Sequence, residues 1–195
     1  MIWAIVLAAG ESKRMGKPKL LLPFGERTII ESVIENVVHS EVHKTVVVLG
    51  SNREEMEKKI GRLPVKIVVN PRYRKGMHSS VQFGFRAIPE DAEAAMVVLG
   101  DQPSLSSFTI NIIVDAYNRT DSGIVLPIHK GKRGHPVLID MKYRGEIDNL
   151  NPDIGLRELL HRHTRDILEV EVANSGILRD IDEWEDYERE TEEES

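Results

Sequence analysis

The stretch Ile2-Trp3-Ala4-Ile5-Val6-Leu7-Ala8-Ala9-Gly10-Glu11-Ser12-Lys13-Arg14-Met15-Gly16-Lys17-Pro18-Lys19 decides how the chain is read. Its first part is apolar and β-branched, as in a strand covered on both faces. Its second part is small and basic. Small residues let a backbone approach a ligand closely, and successive N–H groups can cradle an anion. The apolar run stops at Gly10, well short of the roughly 20 residues a membrane span needs. Its bases follow the apolar residues, the reverse of a signal peptide. A buried first strand is therefore expected, with no membrane association.

The loop is not a Walker A motif, because five residues separate Gly10 from Gly16 and Pro18 follows Lys17. Nor is it the dinucleotide pattern, since Gly10 is followed by Glu11 and Ser12. Two readings of the residues remain: an anion cradle, or a surface loop with solvated bases.

Further apolar runs follow at Thr45–Gly50, Val65–Val69, Ala95–Gly100, Ile124–Ile128 and Pro136–Ile139. Helical patterns lie among them at Thr28–His39, Asn52–Ile60, Ser79–Ile88, Phe108–Asn118 and Gly155–His161. In the first of these, Ile29, Val33, Ile34, Val37 and Val38 share a face. Alternation at this spacing predicts a single α/β domain: a mostly parallel, Rossmann-like sheet with helices on both faces. A length of 195 residues suits one domain, and 41% hydrophobic with 30% charged residues is an ordinary globular composition. Ligands of such sheets bind beyond the C-terminal ends of the strands. Gly10–Lys19, Asn70–Ser80 and Asp101 all fall there.

Charge divides unevenly. Ten acids and one base between Asp180 and Ser195 give that end −9, while residues 1–179 carry +3. An excess of three charges is too small for a nucleic-acid-binding face, but suits one local anion site. The chain has no cysteine, which excludes disulfides and Cys-ligated metals and fits a reducing, cytoplasmic setting. The residues from Glu188 onward read as a solvated end, the last five or so disordered.

Leu7, Ala8, Ala9, Gly10, Ser12, Arg14, Met15, Gly16, Lys19, Leu21, Leu22 and Pro23 together resemble the signature of the MobA-like NTP transferases, the family of the molybdenum-cofactor transferases. That signature runs L-A-(A/G)-G-x-S-x-R-M-G-x-x-K-x-L-L-P. The Ala8-Ala9 form resembles the cytidylyltransferase branch; Gly-Gly is typical of the guanylyltransferase branch. Later segments resemble the family in the same order. They are Asn70-Pro71 with Gly76-Met77-His78-Ser79-Ser80, Gly100-Asp101-Gln102-Pro103, Gly131–Pro136 with His135, Pro152–Arg157, and Asp180–Tyr187. Departures are Val81 for Leu, Pro152 and Leu156 in their segment, and Glu183-Trp184 for Thr-Pro.

The resemblance implies a fold of the nucleotide-diphospho-sugar transferase type over residues 1–187, followed by an acidic tail, 188–195. It implies a nucleotide site at Leu7, Ala8, Ala9, Gly10, Ser12, Arg14, Lys19, Asn70, Ser80 and Gly100. Mg²⁺ would sit on Asp101 and Asp182, and catalysis would rest on Lys19, Arg14 and Asp101. An acceptor would meet Gly76, Met77, Ser79, Gln102 and His135. The implied reaction transfers CMP from CTP to molybdopterin with release of pyrophosphate, and an apo-molybdoenzyme or its chaperone would be a partner. Other readings are a relative using GTP or another acceptor such as a sugar phosphate, and a nucleotide sensor or cofactor carrier. On residues alone, Asp101 is as well explained as a turn cap, Ser79 and Ser80 as helix caps, and Asp182 as part of an acidic face.

Overall fold

The computed structural model describes residues 1–194. In chain order the strands are β1 (Ile2–Ala8), β2 (Pro23–Phe24), β3 (Arg27–Thr28), β4 (Lys44–Leu49), β5 (Lys66–Val69), β6 (Ala94–Leu99), β7 (Ile124–His129), β8 (Lys132–Arg133), β9 (Val137–Asp140) and β10 (Ile167–Glu171). The helices are α1 (Ile29–Val38), α2 (Arg53–Ile60), α3 (Met77–Ala87), α4 (Ser107–Asn118), α5 (Arg144–Ile147), α6 (Leu156–Arg162) and α7 (Trp184–Glu194).

The main sheet runs β10-β7-β9-β6-β1-β4-β5, with β8 paired to β7; β2 and β3 form a separate hairpin. Pairings β5–β4, β4–β1, β1–β6 and β7–β10 are parallel. β9 lies antiparallel between β6 and β7, in a mostly parallel α/β sheet.

The sheet divides two cores, and the strand sequences show why their apolar runs do not alternate. From β1, Ile2, Ala4, Val6 and Ala8 enter one core with α1, α2 and α4. Ile5 enters the other with Val81 and Phe85 of α3 and Leu159 of α6. β4 and β6 divide likewise, Val47 and Leu49 against Val46 and Val48, Met96 and Val98 against Ala95 and Val97. Both faces are covered, so each side chain is removed from water, at roughly 25 cal/mol per Å² of apolar area.

Helix α1 starts where Glu31 reaches back to accept from the Thr28 N–H at 2.9 Å and its hydroxyl at 2.6 Å. It buries Ile29, Ile30, Val33, Ile34 and Val37 on one side. Among the described residues, no helix is long and apolar enough to cross a membrane.

The chain's end corrects the expected solvated tail. Residues 191–194 continue α7, and Glu190 is 1% exposed. Counting acids cannot show this, because a helical repeat turns one of them inward. Ser195 lies outside the described residues.

Asp166 ties the β7–β10 edge together. Its carboxylate accepts from the Gly123 N–H at 3.0 Å, pairs with Lys142 Nζ at 2.8 Å and accepts from the Tyr143 hydroxyl. Burial would raise its pKa, but the bonds from Lys142, Tyr143 and Gly123 prevail and lower it from 3.8 to about 2. A depressed carboxylate stabilises the fold above its unfolded value and ceases to as pH falls through its folded one. The stability gap between wild type and Asp166→Asn, measured by urea unfolding, is thus widest near neutrality. It closes as pH falls from 3.8 towards 2. A gap independent of pH would contradict this.

Candidate active site

The β1, β4 and β6 strands end together, and a cleft of about 500 Å³ opens beyond them. Its near wall is the first loop. Ser12 takes a left-handed backbone (φ 52°), and its Oγ accepts from the Lys19 N–H at 3.1 Å. The Gly16 N–H donates to the Ser12 carbonyl at 3.2 Å, closing the loop on itself. This closure turns the Lys19 side chain, 13% exposed, down into the cleft while Arg14, at 63%, stays at the rim.

Opposite stands Asp101, just past β6. Gly100 permits the approach: its N–H donates to the Leu7 carbonyl at 3.0 Å, and a Cβ there would lie 2.6 Å from that oxygen. The segment before α7 adds Asp182, placed by an Ile181 N–H bond to the Asp101 carbonyl at 3.0 Å. Asp186 holds the turn, accepting from the Asp182 and Glu183 N–H groups at 3.1 and 3.0 Å.

These walls meet at one ammonium. Lys19 Nζ lies 2.7 Å from Asp101 Oδ2 and 2.9 Å from Asp182 Oδ1, and Arg14 reaches Asp182 Oδ2 at 2.8 Å. Burial draws the Lys19 pKa down, but the charges of, and bonds to, Asp101 and Asp182 outweigh it and leave the pKa raised. For Asp182 burial acts upward, and Lys19 and Arg14 overcome it, so its pKa is lowered. Asp180, which also lines the cleft, has its pKa raised by burial and by the charges of Asp101 and Asp182.

Two carboxylates on one point, open to solvent, form a hard oxygen donor set of the kind Mg²⁺ takes, with waters and phosphate oxygens completing its shell. Among the described residues no group of three or more His, Cys, Asp or Glu could hold a metal by itself. The pair therefore fits a metal that arrives partly coordinated by its substrate.

Leu7, Ala9, Gly10, Ser12, Arg14, Lys19, Ser80 and Asp101 line the cleft with Asp182, and Gly76 and Met77 form part of its far wall. Ala8 and Gly100 lie behind it, Ala8 with its methyl in the core. Six expected site residues, Ala8 and Gly100 among them, are not part of the cleft lining in this structure. Asn70 is fully buried and brackets α3, its Nδ2 donating to Ser79 Oγ at 2.9 Å and Ser80 Oγ at 3.0 Å. The Ser79 hydroxyl is engaged with the Gly76 and Arg72 carbonyls at 2.9 and 3.1 Å. Gln102 is 1% exposed and points away, its Nε2 donating to the Ile177 carbonyl at 3.3 Å. His135 lies outside the cleft lining; its N–H donates to the same carbonyl at 3.0 Å, and burial lowers its ring pKa. A short polar motif looks the same in sequence whether it serves the fold or a ligand.

Glu11, Tyr73, Arg74 and Asp180, all at the cleft, were not named as site residues, although each lies in a segment the sequence singles out. Arg74 spans the opening to Glu11 at 3.3 Å. The signal was position: Tyr73 and Arg74 follow an apolar run, Glu11 lies in the first loop, and Asp180 opens the Asp180–Tyr187 segment.

A parallel-sheet cleft with a basic first loop and facing carboxylates at the strand ends defines a nucleotidyltransferase-class domain. The chain belongs to the MobA-like NTP transferase domain family, which it matches over residues 4–167. It is 31% identical over 193 residues to the nicotine blue oxidoreductase of Paenarthrobacter nicotinovorans, covering 93% of this chain and 92% of that one. It is also 31% identical over 184 residues to the molybdenum cofactor cytidylyltransferase of Escherichia coli K12, covering 94% and 92%. Among solved structures it resembles Rv0371c of Mycobacterium tuberculosis H37Rv, with TM-score 0.88, 26% identity and coverage of 98% and 97%. A manganese complex of Rv0371c is similar at TM-score 0.84 and 25% identity, covering 98% of each chain.

Proposed function

We propose that the protein transfers CMP from CTP to the terminal phosphate of molybdopterin, releasing pyrophosphate. The observation that carries this reading is the meeting of Asp101 and Asp182 on Lys19 beside the Ala9-Gly10 loop. Similarity to the E. coli cytidylyltransferase supports the choice of substrates. The relative called an oxidoreductase is equally similar, but the cluster of bases and carboxylates suits a triphosphate better than a redox dye.

In this mechanism an acceptor phosphate oxygen attacks the α-phosphorus of CTP. A new P–O bond forms, the bond to the bridging oxygen of the β-phosphate breaks, and the leaving group carries off the electron pair as pyrophosphate. A phosphate monoester has its second pKa near ~6, so the nucleophile is already anionic and needs no base. The chain's residues align and neutralise. Lys19 meets the α-phosphate, and Arg14 the β- and γ-phosphates as a planar donor fork. Asp101 and Asp182 would hold Mg²⁺, which neutralises developing charge when bound; the manganese complex of the similar Rv0371c supports use of a divalent ion. Gly10 leaves its side of the cleft open to the base and ribose.

The test is pyrophosphate release in a single assay offering CTP and GTP in turn, with and without molybdopterin. Release should need the acceptor and favour CTP by about tenfold or more, the worth of roughly one well-placed contact. Equal use of both nucleotides overturns the CTP assignment. Release without acceptor overturns the transfer.

A further inference from the structure

Among the acids of the chain's end whose side chains are described, Glu190 stands apart, 1% exposed on the inner side of α7. Its Oε2 accepts from the Ser104 hydroxyl, and its Oε1 pairs with Arg179 at 3.1 Å. Ser104 belongs to the turn that begins at Asp101. Arg179 immediately precedes Asp180-Ile181-Asp182. One buried carboxylate thus grips both segments that supply the site's acids.

Other contacts fix where α7 lies. The Tyr187 hydroxyl donates to the Pro23 carbonyl at 2.7 Å. Lys17 of the first loop sits 5.6 Å from the Trp184 ring centre, and Trp184 meets Tyr187 edge-on at 5.9 Å. The helix is pinned to the first loop at its start and to the Ser104 turn through Glu190. Just before α7, the Ile181 N–H bond to the Asp101 carbonyl joins the same two segments.

We propose that Glu190 is a positioning residue, holding the Asp101 turn and the Asp182 segment together through Ser104 and Arg179 so that both carboxylates face one ion. This rests on the proposed assignment of Asp101 and Asp182 to the metal. It gives the last helix a role in the site despite its distance in sequence. Removing the buried Glu190 carboxylate takes away the group that Ser104 and Arg179 both contact and loosens what it held. Groups that orient metal ligands typically change metal affinity by about 10–100-fold when lost.

The test compares wild type with Glu190→Ala, Glu190→Gln and a core control on α2, Ile60→Val, in the full chain. The first readout is hydrogen exchange of the Ile181 amide relative to the amides of β1. The second is Mn²⁺ affinity by electron paramagnetic resonance, in the presence of a non-hydrolysable CTP analogue.

Glu190→Ala should speed Ile181 exchange and weaken Mn²⁺ binding by about 10–100-fold. Glu190→Gln keeps the shape and the Ser104 bond and should recover part of that loss. If Glu190→Ala does not fold, Glu190→Gln carries the test, with a smaller weakening expected. Ile60→Val should lower the melting temperature without changing Mn²⁺ affinity. Unchanged Ile181 exchange overturns the proposal, and so does faster exchange with unchanged Mn²⁺ affinity. If Asp101→Asn leaves Mn²⁺ affinity unaltered, the metal assignment falls instead. The Ile181 rate then still decides whether Glu190 holds the two segments.

Discussion

Asp101→Ala should lower metal-dependent turnover by about 10²–10³, the usual loss when one preorganised electrostatic group leaves a transfer site. The fold should survive. Lys19 keeps Asp182 at 2.9 Å, so no buried ammonium is left without a counter-charge. The Asp101 carbonyl still accepts from Ile181, since that contact is made by the backbone. Loss of turnover with near-native circular dichroism is therefore the expected pair of results. Steady-state pyrophosphate release at saturating Mg²⁺ measures the first. Near-full turnover in this variant removes Asp101 from the metal.

Lys19→Met should act on the chemical step by a similar factor, about 10²–10³ in kcat, with a smaller change in KM for the nucleotide. The reason is charge placement. An ammonium against the α-phosphate gains most where negative charge builds in the transition state, whereas Arg14 at the rim can still hold the outer phosphates. The variant also leaves Asp101, Asp180 and Asp182 near one another with only Arg14 to answer them. Its melting-temperature deficit relative to wild type should thus shrink as pH drops and these acids protonate.

In wild type the Lys19 pKa is raised above 10.5, because Asp101 and Asp182 outweigh the effect of burial. A raised lysine gives its full stabilisation below the unfolded value and ceases to as pH rises through the folded one. In the metal-free protein the stability gap between wild type and Lys19→Met should accordingly be full below pH 10.5 and shrink as pH rises beyond it, as read by urea unfolding. An unchanged kcat in Lys19→Met removes it from the mechanism.

The fold was largely legible because burial on both faces leaves a strong local mark. The runs at Ile2–Ala8, Thr45–Gly50 and Ala95–Gly100 closely match β1, β4 and β6, the strands that carry the cleft. The run at Pro136–Ile139 was found too, yet its direction was not: β9 is antiparallel to both neighbours. Direction depends on how the preceding turn returns, and periodicity carries no trace of it. β10 escaped notice because Ile167–Glu171 is an edge strand with charged residues among its apolar ones. The helix at the chain's end was hidden for the converse reason. Its composition reads as a solvated acidic run, and its inner side is marked by Tyr187, packed against the core, and the buried Glu190.

By itself the sequence determined the α/β architecture, the family and the loops at the strand ends. These depend on patterns local to a few residues, where apolar runs, glycines and clustered charges act directly on the backbone. Only the tertiary structure decided which polar side chains reach the cleft. It gave the Asn70, Ser79 and Gln102 side chains partners within the fold, and brought Lys19, Asp101 and Asp182 into contact. It also took Glu190 out of the solvated end and set it beneath the site. The physical reason is that polar groups drawn out of water need partners, and those partners lie far apart along the chain, 163 residues for Lys19 and Asp182.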